Sequence, residues 1–293
     1  MSLPGLDSES SRVSSPSGNG VVGDIWVNFK RWNRKAIRDP TAVFLDVVMA
    51  VLSLLMFAAV FGEAGALALE QSGLGDVGYV SFLVPAVLIQ VSMASSVSSG
   101  MGLVEDLQTG MFEKVVVTPM NWTAVFAGKA AAELLRIVLQ VLIVFGLALT
   151  MGARIETGLP GALGIVFVCL LFGTWYMSLS NILALLTRDQ EALDAAAYAL
   201  LFPLLFISSA FLPVSSLSGP TQMIAKLNPV TYAVDAVRAL VLDRDVMTVL
   251  EISEFGGIYD TLVPALAVLV TLNIVFGTTT ITMLSRASSS KAD

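Results

Sequence analysis

Four ionisable residues, Asp46, Glu133, Arg136 and Asp194, sit inside long apolar stretches of a 293-residue chain. A charge in such surroundings is costly unless it is paired, so each is a candidate for a substrate path, a proton relay or a local ion pair. Glu133 and Arg136 stand three apart, the spacing at which two side chains meet on one helix face. All four lie within a turn or three of the membrane surface predicted to face the cytoplasm, which favours snorkelling or local pairing over proton-coupled transport. Catalysis has little to draw on. There is no histidine, which removes the commonest general base, the Ser-His triad and the usual zinc sites. The single cysteine, Cys169, excludes an internal disulfide and a cysteine metal cluster. Gly128-Lys129 is followed by Ala130 and lacks the upstream glycine of a phosphate loop, so neither the amide cradle nor the Mg²⁺-holding hydroxyl is present. No catalytic residue, metal site or cofactor is expected in this chain.

The elements that must position these residues are membrane helices. Hydrophobic residues make up 56% of the chain and charged residues only 13%, with a mean hydropathy of +0.82. Soluble domains carry roughly 25% charged residues. About six runs approach the length of about 20 residues that a spanning helix needs: 41–61, 79–98, 124–151, 161–186, 192–212 and 261–284. They are too long and too evenly apolar for barrel strands. The expected fold is an all-α integral membrane protein with six transmembrane helices filling residues 41–286. A net charge of -7 leaves no basic surface for nucleic acid.

Ahead of the first span, residues 1–22 read as a Ser/Gly-rich disordered tail rather than a signal peptide, and 23–40 as an amphipathic helix. Asp24 can cap its start and Pro40 ends it. Ile25, Trp26, Phe29, Trp32, Ala36 and Ile37 share one face; Lys30, Arg31, Arg34, Lys35 and Arg38 share the other. That pattern describes a helix lying in the membrane interface, anchored by Trp26 and the five basic residues, although calmodulin-binding peptides share it. The basic cluster also predicts cytoplasmic amino and carboxyl termini, the latter a short tail over 287–293. Residues 62–78 carry Glu63, Glu70 and Asp76 and no basic residue, as an outer loop would.

The segment 100–122 then faces the cytoplasm. Leu103, Leu107, Met111 and Val115 fall on one side of an ideal helix, with Glu105, Asp106, Thr109 and Glu113 on the other. Thr118-Pro119 would close a helix over 103–118, the alternative being a solvated loop. Residues 213–260 are too long for a plain connector. Pro213, Pro220 and Pro229 punctuate them, and Val230, Val234, Val237, Leu240 and Val241 follow helical spacing. Two short helices over 214–245 that dip into the outer leaflet and return are expected. Ser92, Ser95, Ser96, Ser98 and Ser99 either pack helices closely or line a path. Gln90, Gln140 and Asn273 either link helices or contact substrate.

Residues 105–129, EDLQTGMFEKVVVTPMNWTAVFAGK, together with 203–242, resemble the type-2 ABC exporter permeases, nearest the drug-resistance and nodulation-factor branch. In the first segment Gly110, Glu113, Thr118, Pro119, Gly128 and Lys129 occupy the family's places; in the second, Asn228, Pro229, Tyr232, Asp235 and Arg238 do. One departure is Ser208-Ser209-Ala210-Phe211, where a Ser-Gly pair is common. The resemblance implies a plasma-membrane permease that pairs with a second permease copy and with two ATP-binding subunits, which hold the ATP and Mg²⁺. It implies export of a hydrophobic or amphipathic substrate by alternating access. It assigns contact with the ATPase to Leu103, Glu105, Asp106, Thr109, Gly110, Glu113, Thr118 and Pro119, and an outer gate to Asn228, Pro229, Tyr232, Asp235 and Arg238. A purely structural role for that last group stays open, with Asn228 capping a helix and Asp235 pairing with Arg238. An ion-driven carrier, or an ATPase-linked protein that transmits force without moving substrate, are the competing functions.

Overall fold

A computed structural model of the chain describes residues 20–38, 40–110, 122–246, 249 and 254–289. Among these the fold is helical, with no strand. The helices are α1 (Gly20–Arg38), α2 (Thr41–Gln71), α3 (Tyr79–Gln108), α4 (Trp122–Thr150), α5 (Gly158–Thr187), α6 (Gln190–Phe206), α7 (Gly219–Leu227), α8 (Pro229–Leu242) and α9 (Tyr259–Ser289), with a 3-10 turn at Val214–Ser216 before α7. Five of them contain stretches long and apolar enough to cross a membrane: Val43–Gln71, Tyr79–Gln108, Ala127–Thr150, Gly158–Thr187 and Tyr259–Arg286.

Several boundaries differ from those read in the sequence. Helix α2 continues ten residues past the expected end at Phe61, so Glu63 and Glu70 lie on the helix rather than in a loop. Helix α3 continues to Gln108, and α1 begins at Gly20 instead of residue 23. The fifth apolar run is helical for only 17 residues. It stops at Phe206, and beyond it the carbonyls of Ile207, Ser209, Ala210 and Phe211 accept from side-chain donors.

Helix α3 is the axis of the bundle and packs against α2, α4, α5, α6 and α8. Leu83, Val87, Leu88, Ile89 and Met93 on it are fully enclosed. Its approach to α5 is close: a Cβ on Gly100 would stand 2.3 Å from Ser180 Oγ, and one on Gly173 3.4 Å from Ser96 Oγ. The outer surface of α2 carries Phe44, Leu45, Met49, Leu52 and Met56, each at least half exposed, as suits a lipid-facing helix. At what is here termed the proximal end lie α1, the end of α3 and the start of α4. At the distal end lie the 71–79 turn, α7 and α8.

The local signals are ordinary ones. Asp189 caps α6 by accepting from the Ala192 amide at 2.9 Å. Asn228 caps α8 by accepting from the Val230 amide at 2.9 Å, with Pro229 at the first helical position. Asp243 ends α8 in the left-handed conformation.

Candidate functional site

At the proximal end α1 is docked, not floating. Its buried side presents Asp24, Asn28 and Trp32, while Trp26 and Ile37 are more than half exposed. The expected division into one apolar and one cationic face is therefore too simple. Two glycines let α1 approach. A Cβ on Gly128 would stand 2.5 Å from the Ile25 carbonyl, and one on Gly102 2.6 Å from the Trp32 ring. Beside them Lys129 is buried, donates to the Ser99 carbonyl at 2.6 Å and lies 5.0 Å from the Trp32 ring centroid. Gly128-Lys129 thus seats α1 on α4 and ties α4 to α3. Lys30, Arg34 and Arg38 stay exposed. Arg31 and Lys35 turn instead to α3, where Arg31 donates to Asp106 at 3.4 Å and Lys35 pairs with Glu105.

Those two contacts alter the reading of the segment expected to meet the ATPase. Leu103, Glu105 and Asp106 belong to the last two turns of α3 rather than to a separate helix beginning at 103. Leu103 is buried among Val104, Ala184, Leu185, Leu193 and Leu284. Glu105 and Asp106 are held by α1. Thr109 donates to the Glu105 carbonyl at 2.8 Å, and Gly110 turns the chain at φ +67°. Glu113, Thr118 and Pro119, and with them the second half of the expected helix 103–118, lie outside the described residues. So do most of the 1–22 tail and the end of the 287–293 tail.

Deeper on the same side, the charges inside the spans converge. Arg136 on α4 donates to Asp46 on α2 at 3.0 Å and to Ser98 on α3 at 2.7 Å, with Glu133 at 3.7 Å. Gln140 adds a bond to Asp46 at 3.1 Å. One guanidinium therefore links three helices, the local pairing expected of such residues. Asp194 on α6 faces the same space, a cavity of about 820 Å³ bounded by α1, α2, α3, α4 and α6. The remaining polar suspects link helices. Gln90 accepts from Ser53 at 3.0 Å, and Asn273 donates to the Leu171 carbonyl at 2.9 Å. Ser96 donates to the Gly173 carbonyl at 2.9 Å, and Ser99 meets Asn181. The serine run packs α3 on α5, with Ser98 alone of the five bordering the cavity.

At the distal end the motif Asn228, Pro229, Tyr232, Asp235 and Arg238 forms one buried network with the broken end of α6. Arg238 is 1% exposed. It donates to Asp235 at 3.1 Å, to the Ser209 carbonyl at 2.7 Å, and to the Ala210 and Phe82 carbonyls at 3.3 Å. Its guanidinium lies 3.7 Å from the Phe82 ring centroid. Ser209 Oγ donates to Asp235 at 2.6 Å, and Asn228 donates to the Leu204 carbonyl at 2.6 Å. Tyr232 reaches the Lys226 carbonyl at 3.0 Å. The motif supplies the donors that residues 204–210 lost when the helix ended. The sequence revealed the Asp235–Arg238 spacing; it carried no sign of the carbonyls.

Residues 23–242 match the model of the ABC-2 type transporter family. The chain is 29% identical to a daunorubicin resistance ABC transporter permease protein of Streptomyces coeruleorubidus, over 69% of each chain. It is 26% identical to a putative transport permease of Cyanophora paradoxa, over 78% of each. It is 21% identical to a probable doxorubicin resistance ABC transporter permease protein of Mycobacterium tuberculosis, over 72% of this chain and 74% of that one.

Proposed function

The chain belongs to the ABC-2 type transporter family, and from that premise we propose that it exports a hydrophobic or amphipathic substrate as the permease subunit of an ATP-driven pump. The observation that carries this reading is the family match across 23–242, which spans both the proximal docking elements and the distal motif. Resistance to daunorubicin and doxorubicin, named for two relatives, supports a bulky organic substrate. The protein is a multi-pass membrane permease, not an enzyme.

Six crossings are part of the proposal. Gln108, at the proximal end of α3, donates to the Arg188 carbonyl just before α6. Tyr79, at the distal start of α3, donates to the Phe211 carbonyl just after it. Residues 188–211 therefore run the full length of α3, which supports counting α6 and its bent extension as a span. The basic α1 supports a cytoplasmic amino terminus, six crossings would return the carboxyl terminus to the same side, and the kinship with resistance permeases supports a plasma-membrane location. Two permease copies and two ATP-binding subunits complete the assembly. Closure of the ATPase pair drives transport only if it contacts the two permease states differently. Thr109, Gly110, Glu113, Thr118 and Pro119 are the proposed contact, and the α1–α3 ion pairs at Glu105 and Asp106 would carry its movement to the membrane.

Co-purification from native membranes tests this. An ATP-binding protein is expected with the wild-type chain and is expected to be lost with Glu113→Arg. A stable wild-type permease that brings down no ATP-binding protein in mild detergent would overturn the reading.

A further inference from the structure

We propose that the proximal cavity is a binding site for the cationic head of an amphiphile, an amine carried on an apolar body. As an assignment of transported substrate it rests on the exporter reading; as a binding site it stands alone. Among the described residues four carboxylates border the space, Asp46, Glu105, Glu133 and Asp194, against two cations, Lys35 and Arg136. Lys35 is taken up by Glu105. Arg136 is committed to Asp46 and Ser98 at 3.0 and 2.7 Å. Two acids remain.

Glu133 is 6% exposed, and its Oε2 accepts no hydrogen bond among the described residues; the nearest cation, Arg136 Nη1, stands off at 3.7 Å. Lys129 lies one turn away, but its ammonium bonds the Ser99 carbonyl and does not border the cavity. Asp194, half-buried on α6, makes no hydrogen bond or ion pair among the described residues. Glu133 Oε2 is closed off beside Arg136 and lends that wall negative charge, whereas Asp194 can be reached from the cavity, so an entering ammonium group makes its charge-assisted contact there. An anionic head would meet an excess of carboxylates instead. The remaining walls, among them Trp32, Leu135, Leu139, Tyr198 and Leu201, suit an apolar body. The volume of about 820 Å³ is that of a site for a drug-sized molecule.

The test uses purified full-length protein in phosphatidylcholine nanodiscs and three matched fluorescent probes: dansylcadaverine, its N-acetyl derivative and dansyl-aminohexanoate. Dansylcadaverine should bind saturably and about tenfold or more tighter than the two others, the range of one charge-assisted hydrogen bond. Asp194→Asn should weaken it several-fold, and Glu133→Gln with Asp194→Asn should reduce it to the level of the acetylated probe. Asp76→Asn, at the distal end, should leave it unchanged. Thermal midpoints check that each variant is folded. Equal binding of amine and acetylated probes, or unchanged amine binding in folded Asp194→Asn, would overturn the site. If the amine binds selectively but no ATP-binding protein co-purifies, the exporter reading fails and the site survives. If the partner co-purifies and the probes bind equally, the reverse holds.

Discussion

At the scale of single residues, Arg238 shows why arginine and lysine are not equivalent in a buried position. Its planar fork reaches one carboxylate and three carbonyls at once, which a single ammonium cannot do. Removing the charge in Arg238→Met leaves Asp235 buried without its counter-ion, a loss of about 3–5 kcal/mol. Thermal unfolding in detergent should show that loss, with Arg238→Lys intermediate. Asp235→Asn should cost less than Arg238→Met, because Arg238 keeps its carbonyl partners. Half of this network was legible. The three-residue spacing of Asp235 and Arg238 announces a pair on one helix face. The acceptors lie 29 and 156 residues away in the chain, a distance at which spacing carries no information. Glu105 and Asp106 teach the same lesson in reverse. Their polar side suggested a contact with a partner protein, and within the chain they meet Lys35 and Arg31, 70 and 75 residues earlier, which no local spacing announces.

At the scale of elements, the docking of α1 depends on two glycines rather than on its own amphipathic pattern. Gly128→Val places a Cβ within 2.5 Å of the Ile25 carbonyl, a backbone atom that cannot swing aside. Overpacking of this kind costs about 1–3 kcal/mol. The expected result is release of α1, read as a red shift of Trp32 emission in a background where Trp26, Trp122 and Trp175 are replaced by Phe, and as faster tryptic cleavage at Lys30 and Arg31. Unchanged emission and cleavage would show that α1 is held elsewhere. The existence of the long helices was visible because about 20 apolar residues in a row admit few other structures. Their ends were not. Hydropathy continues past Phe206, and the carbonyls at and beyond the end of α6 are taken up by side-chain donors that arrive from α8 and its cap. The extension of α3 to Gln108 was hidden for a related reason: its last turns carry charge, and charge there is satisfied by α1.

At the scale of the whole molecule, one exposed contact joins the start of α3 to the end of α8. Arg244 holds Asp76 through two hydrogen bonds of 3.1 and 2.8 Å, and these keep the Asp76 carboxyl below its ordinary value of 3.8. A carboxylate lowered on folding adds stability above its unfolded value and loses it as pH falls through the folded one. The gap in thermal midpoint between wild type and Asp76→Asn should therefore be small and constant near neutrality and close as the solution is acidified below pH 3.8. A gap that widened with acid would contradict this. A different consequence follows from α8, every residue of which from Val230 to Leu242 is buried. Its walls are α3, α5 and α9, and α9 is the last of them to leave the ribosome. During synthesis, then, a helix bearing an internal ion pair waits with one side open until the end of the chain has been inserted. A message broken before the codon for Tyr259 would yield a protein that carries every other helix but displays α8 to its surroundings, and cellular quality control would meet it as unfinished.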